Sequence, residues 1–296
     1  LSQKKRTRKR QSTAKTGDKK RTARLTHAIL VLVFFFAFSI FGLKHIERFF
    51  DGWSPREAAP TAADKIAEKK PQRPGVILII DDLGYDKKSI DRILRIKQPI
   101  NLAVLPHLPH SLYAARAAYR GGKDVILHLP MEPKYSSGYT ADDAGEGVLL
   151  LGFSIDQMRE ELRRNIVAVP NIVGVNNHMG SKFMENEEPV KTVMQELKAR
   201  DLYFVDSLTT PNSRGYRIAR QLGVKTLKRD VFIDQRERGK EYTMEQLDHL
   251  VRIAEKNGIA VGIGHPYPQT IDALAEYMPK NEKKVEFIKI SAAALN

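Results

Sequence analysis

VILIIDDLGYD, residues 76–86, runs five consecutive aliphatic residues into a pair of aspartates and then a glycine. An alternating pattern would mark a strand with one wet face. An unbroken apolar run of this length marks a strand buried on both faces, as in a parallel sheet covered by helices. Apolar runs of the same kind recur at Asn101–Leu105, Asp124–Leu129, Gly174–Asn176, Tyr203–Asp206, Lys225–Leu227, Ala260–Gly264 and Phe287–Ile290. Amphipathic segments that fit helices lie between them, at Lys88–Lys97, Leu112–Tyr119, Ile155–Val169, Pro189–Ala199, Gly215–Leu222, Met244–Asn257 and Thr270–Tyr277. Ser154 with Gln157 and Thr243 with Gln246 have capping-box spacing, and Gly258 stands at a helix C-cap position. Repeated strand–helix units of this number, in about 220 residues, predict an α/β barrel in preference to a doubly wound sheet.

The residues at the C-terminal end of each strand carry the chemistry. Strand one ends in Asp81-Asp82, strand three carries His128 and then Glu132, and strand four runs into His178. Strand five runs into Asp206 and the strand at 260–264 into His265. In a parallel barrel these ends meet on one face, where barrel active sites lie. Each residue alone has a plain reading: adjacent aspartates form turns and helix caps, a lone histidine fills a core, and Glu132 pairs with Lys134. Together they predict a ligand-binding or catalytic face. Carboxylates and imidazoles suit zinc and related divalent ions, held by about three protein ligands. A cation beside one of two adjacent aspartates relieves their mutual repulsion and leaves the other free to act as a base.

The N-terminal quarter reads differently. Leu25–Leu43 contains no Asp, Glu, Lys or Arg over 19 residues, and at 1.5 Å per residue such a helix spans about 28 Å, a bilayer core. Eleven of the Lys and Arg residues, against one acid, lie in residues 1–27, so only +4 of the net +14 belongs to the rest of the chain. This basic tail predicts a cytoplasmic N-terminus, with the remainder outside an inner (cytoplasmic) membrane, single-pass, in the periplasm or extracytoplasmic space. The length of the apolar run favours an uncleaved anchor over a signal peptide. Expected segments are a basic tail (1–24), an anchor (25–43), a Lys-, Glu-, Ala- and Pro-rich tether (44–72) of roughly 30 Å reach, and one domain (73–296). The tail lacks the aromatic or structured partners that nucleic-acid binding needs. With no cysteine in the chain, disulfides, thiolate catalysis and Cys-ligated zinc are excluded.

IIDDLGYD (79–86), NLAVLP (101–106), ILHLPMEP (126–133), NNHMGS (176–181), FVDS (204–207) and GIGHP (262–266) together resemble the divergent polysaccharide deacetylases, a branch related to the NodB-type carbohydrate esterases. The resemblance covers Arg73–Asn296. It implies a deformed (β/α) barrel, a divalent metal, usually zinc, and removal of N-acetyl groups from an envelope polysaccharide or peptidoglycan-like glycan. It also implies Asp81 as catalytic base, Asp82 and His128 as metal ligands and His265 as general acid. The sequence departs from the NodB pattern in its second motif, where Glu132 replaces a histidine. It departs again where NNHMGS stands in place of an arginine-containing motif. His178 is then the expected third ligand, with Glu132 its rival, and Asp206 is expected to orient or charge-balance a histidine. The alternative is a non-catalytic envelope module that binds glycan or protein through the same face.

Overall fold

Gly75–Leu83 forms β1, and from Val76 to Ile80 its side chains divide by parity. Val76, Leu78 and Ile80 enter the larger core between sheet and helices. Ile77 and Ile79 enter a smaller cluster with Ala103, Ile126, Val205, Val261 and Ile263 on the sheet's other face. A strand with both faces covered must be apolar at every position, which is why the run at 76–80 is unbroken. Burying each of these aliphatic side chains contributes about 1.5–3 kcal/mol.

The computed structural model describes residues 73–135 and 138–293. After β1 come α1 (Lys87–Leu94), β2 (Asn101–Val104), α2 (Ser111–Arg120), β3 (Asp124–Met131), α3 (Ile155–Ala168), β4 (Ile172–Met179), α4 (Glu187–Ala199), β5 (Tyr203–Asp206) and α5 (Gly215–Leu222). β6 (Thr226–Lys228), β7 (Val231–Phe232), α6 (Lys240–Asn257), β8 (Ile259–Gly264), α7 (Pro268–Asn281) and β9 (Glu286–Phe287) complete the order. The sheet runs β6-β5-β4-β3-β2-β1-β8-β7, and its pairings are parallel. That sequential order is that of a barrel, not of a doubly wound sheet with its reversal point.

The barrel does not close by hydrogen bonding. β6 and β7 are the two sheet edges, joined by Arg229 and Asp230 alone. The Arg229 N–H donates to the Asp206 carbonyl, and the Asp230 N–H donates to the Val261 carbonyl. A two-residue step thus spans the gap that a ladder would fill in a closed barrel, and the result is a curled, open half-barrel. The chain after β9 plugs its concave side with Ile290 and Ala293. Fully buried Asn101 fixes that plug by donating to the Leu78 carbonyl and accepting from the Ile290 N–H.

Most expected elements form within a few residues of their predicted bounds. The capping box of Ser154 and Gln157 opens α3, and Gly258 ends α6 at φ 87°. Thr243 caps nothing: α6 begins three residues earlier, and Thr243 is buried inside it. The strand expected at 287–290 is only the two-residue β9 beside the start of β1. Among the described residues no helix is long and apolar enough to cross a membrane. The tail, the apolar run at 25–43 and the tether lie outside the described residues.

Candidate active site

The parity that fills the concave face with Ile77 and Ile79 places Asp81 next on that face. The same step follows Ile126 with His128, and Ile263 with His265. Register carries it across the sheet: His128 pairs with Asn176, Pro130 with His178, and Asn176 with Val205. The polar groups therefore stand directly on the apolar inner cluster, at the C-terminal ends of the strands.

Alternation alone would send Asp82 to the opposite face from Asp81. Instead Asp82 adopts a left-handed conformation with φ 55°, and the β1–β2 register slips between Ile80 and Leu83. Such a bulge re-aims a side chain at an energetic cost that native structures accept chiefly at functional sites. Both carboxylates consequently reach the same space. Met179 and Leu208, at the ends of β4 and β5, are also left-handed.

Asp82, His128 and His178 bring three ligand-type atoms together. Asp82 Oδ1 is 3.2 Å from both His128 Nε2 and His178 Nδ1, and the two nitrogens are 3.0 Å apart. Ligands at zinc distances of 2.0–2.1 Å in a tetrahedron are separated by about 3.3 Å, so the triangle has the size of one metal-binding face. Asp82 Oδ1 is buried and lacks a hydrogen-bond partner; both imidazoles approach it without presenting an N–H in bonding geometry. A buried, unsatisfied carboxylate oxygen is costly, and a cation at this point satisfies it. Against burial, which raises it, the two histidines hold the Asp82 carboxyl well below its usual range.

Asn176 sets the orientation of this group. It is fully buried, its Nδ2 donates to Asp81 Oδ1 at 2.8 Å, and its Oδ1 lies 2.9 Å from His128 Nδ1. With the amide NH2 turned to Asp81, His128 carries its proton on Nδ1 and turns the Nε2 lone pair into the cluster, as a metal ligand requires. Burial raises the Asp81 carboxyl above its ordinary range, with His128 and His265 pulling the other way.

On the far side of Asp82, His265 Nε2 lies 4.0 Å from Asp82 Oδ2. The His265 ring is held between Phe232 and Tyr267, stacked at 6.0 and 5.4 Å. Its Nδ1 meets Asp234 Oδ1 at 2.9 Å. Asp234 also accepts from the His265 N–H and the Thr270 hydroxyl. Burial pushes the imidazole down, but the Asp234 carboxylate outweighs it and lifts His265 to about 9.

Asp234 takes the place expected of Asp206. The Asp206 carboxylate touches no histidine; it accepts from the Leu208 N–H, the Ser213 hydroxyl and the Tyr216 N–H, and so shapes the turn into α5. Glu132 is likewise outside the cluster. It accepts from Lys182 Nζ, the Tyr135 hydroxyl and the Leu151 N–H, clamping the loop after β3 to the end of β4. The expected pairing of Glu132 with Lys134 gives way to this one, and Lys134 pairs with Glu185 instead. A signal for Asp234 is present in the sequence: Val231-Phe232-Ile233-Asp234 repeats the apolar-run-then-acid pattern of β1.

Comparison with known proteins agrees with this geometry. Residues 78–294 match the profile of the divergent polysaccharide deacetylases. An uncharacterized protein of Escherichia coli K12, YibQ, is 32% identical over 235 residues, covering 79% of this chain and 69% of that protein. An uncharacterized protein of Haemophilus influenzae is 32% identical over 197 residues, 67% of this chain and 68% of its own length. The crystal structure of the uncharacterized protein ATU2773 from Agrobacterium tumefaciens C58 superposes with a TM-score of 0.69 at 25% identity, covering 74% of this chain and 89% of that one. With its parallel half-barrel, its strand-end cluster and a profile match across nearly the whole described domain, the chain belongs to the divergent polysaccharide deacetylase family.

Proposed function

We propose that this chain is a metal-dependent hydrolase that removes acetyl groups from an N-acetylated envelope polysaccharide or peptidoglycan-like glycan. The observation that carries the reading is the cluster of Asp82, His128 and His178, with Asp81 and His265 beside it. An N,N,O donor set of this size fits zinc. Bound there, the ion supplies a Lewis acid that polarises the acetyl carbonyl and acidifies the attacking water.

The remaining steps belong to the protein. Asp81, whose carboxyl burial makes more basic, accepts the proton of the attacking water. Asn176 keeps Asp81 turned toward that water and His128 turned toward the ion. His265 donates its Nε2 proton to the nitrogen of the departing amine, so the sugar leaves as a neutral amine and the acetyl group as acetate. Asp234 holds that proton donor charged and oriented. Leu25–Leu43 serves as the anchor that keeps the domain on the extracytoplasmic side, where such glycans lie.

The test is metal analysis of the purified chain combined with acetate release from N-acetylglucosamine oligomers and peptidoglycan glycan strands. The expected results are one divalent ion per chain, turnover by the wild type, and an Asp81→Asn variant that keeps the ion and loses turnover. A chain that binds glycan but releases no acetate from either substrate is a binding module, and the hydrolase reading is then wrong.

A further inference from the structure

We infer that the active site of the proposed deacetylase continues into a second saccharide subsite that selects an anionic substituent, a carboxylate or phosphate, on the sugar next to the acetylated one. The inference rests on that catalytic reading for its substrate. Its evidence lies in a cleft beside the ligand triangle, with Asp82 common to both. A cavity of about 380 Å3 opens directly from Asp82, between the loops that follow β1, β7 and β8. Two aromatic rings, Tyr85 and Tyr267, line it together with Ser89 and Arg236.

The aromatic groups suit a sugar ring. Tyr85 is 63% exposed, which leaves its ring open to a ligand. Tyr267 has one face stacked on His265 at 5.4 Å and 27°, which fixes its plane. The negative faces of such rings attract the weakly positive C–H faces of a pyranose. A cavity of this volume is within the range of small-ligand sites.

The polar groups choose the kind of sugar. Two carboxylates border the cleft, and both are committed elsewhere. Asp82 faces the metal-ligand triangle, and Asp86 accepts the Ser89 N–H as the N-cap of α1. Apart from the Asp82 carboxylate, which faces the ligand triangle, the side-chain groups of the cleft with no protein hydrogen-bond partner among the described residues are the Arg236 guanidinium, the two phenol hydroxyls and the Ser89 hydroxyl. All four are able to donate, and one of them carries a fixed positive charge. A ligand rich in acceptors and negatively charged matches that set, and a guanidinium meets a carboxylate or phosphate in bidentate fashion. Arg236 sits on the loop after β7, two residues beyond Asp234, so the loop that orients the proton donor also carries the anion-reading group.

The test uses the full chain in detergent micelles and three disaccharides, in which N-acetylglucosamine adjoins glucose, glucuronate or glucose 6-phosphate. The readout is the ratio of kcat/KM for each charged substrate to that for the neutral one. The wild type should favour at least one charged substrate by about tenfold or more, chiefly through KM. Preference for the glucuronate or for the phosphate unit identifies which anion the subsite accepts. Arg236→Ala should bring the ratio near one, and Arg236→Glu should bring it below one, with melting temperatures close to wild type. A wild-type ratio near one, or a ratio that survives in a folded Arg236→Glu, overturns the inference. Calorimetric binding of the non-acetylated glucosamine–glucuronate disaccharide separates the two readings. Arg236-dependent binding without acetate release from any substrate refutes the hydrolase and leaves the anion subsite. Acetate release with no charge preference does the reverse.

Discussion

Asp234→Asn is the substitution that isolates what one carboxylate does to His265. The amide keeps the size of the side chain and can still accept from the His265 N–H and the Thr270 hydroxyl. It replaces the negative oxygen 2.9 Å from Nδ1 with a neutral group. In the wild type, burial lowers the affinity of His265 for its proton, and Asp234, followed by Asp82 and Asp81, raises it to about 9. Without the main raising partner, the imidazole should titrate at roughly 6.5, its ordinary value. At pH 8 the protonated fraction then falls from about 0.9 to about 0.03, some thirtyfold, whereas at pH 5.5 both forms are more than about 90% protonated. If His265 is the proton donor, acetate release by Asp234→Asn should fall about thirtyfold at pH 8 and less than about twofold at pH 5.5.

The same shift has a thermodynamic sign. The folded-state value lies above the unfolded one, so the His265–Asp234 interaction stabilises the chain fully below about pH 6.5. That contribution is lost as pH rises through about 9. A shift of this size corresponds to about 2–3 kcal/mol after allowing for partial exposure of the ring. Two measurements check both effects: NMR titration of the His265 ring protons in the metal-free chain, and the pH dependence of acetate release. A midpoint that stays near 9 in Asp234→Asn refutes the assignment of the partner. A loss of rate equal at pH 5.5 and pH 8 refutes the role of His265 as donor.

The remaining contacts yield three further expected outcomes. Zinc at one hundred times its dissociation constant should raise the melting temperature by about 5–10 °C; Asp82→Asn and His178→Ala should abolish that rise, and Glu132→Gln should keep it, as read by calorimetry with and without a chelator. Asp206→Ala leaves three donors behind, two backbone N–H groups and a hydroxyl, and should cost about 3 kcal/mol or more in urea unfolding while leaving the His265 titration midpoint in place. Gly147→Ala should cost roughly 2–3 kcal/mol in the same assay, because Gly147 has φ 84° and an added Cβ would collide with the side-chain amide of Asn165.

The limits of what the sequence discloses come from strand length and parity. β1, β3, β4 and β8 have six to nine residues each, enough for a run to be read and for the polar residue at its end to be noticed. β7 has two, too few for any period, so Asp234 is marked only by the short apolar run that ends in it, although it stands at a strand end like Asp81. The opening of the barrel between β6 and β7 is hidden for the same reason, since it depends on the two-residue step at Arg229 and Asp230. Asp206 shows the opposite failure: its place after a strand is visible, but the direction of its side chain depends on the turn into α5, where the Ser213 hydroxyl and the Tyr216 N–H claim it. The choice between His178 and Glu132 turns on register. Pro130 pairs with His178, so His178 shares the concave face with His128, whereas Glu132 lies beyond the end of β3, where the loop amide of Leu151 and Lys182 take its carboxylate. Asp82 is the deepest case. Read by alternation, only one of two adjacent aspartates can face the site, and the pairing of base with ligand looks impossible. The left-handed turn at Asp82 and the register slip beside it remove that objection. A tandem acid pair at a strand end therefore implies local backbone strain wherever both side chains work in one site, and here Asp82 supplies that strain.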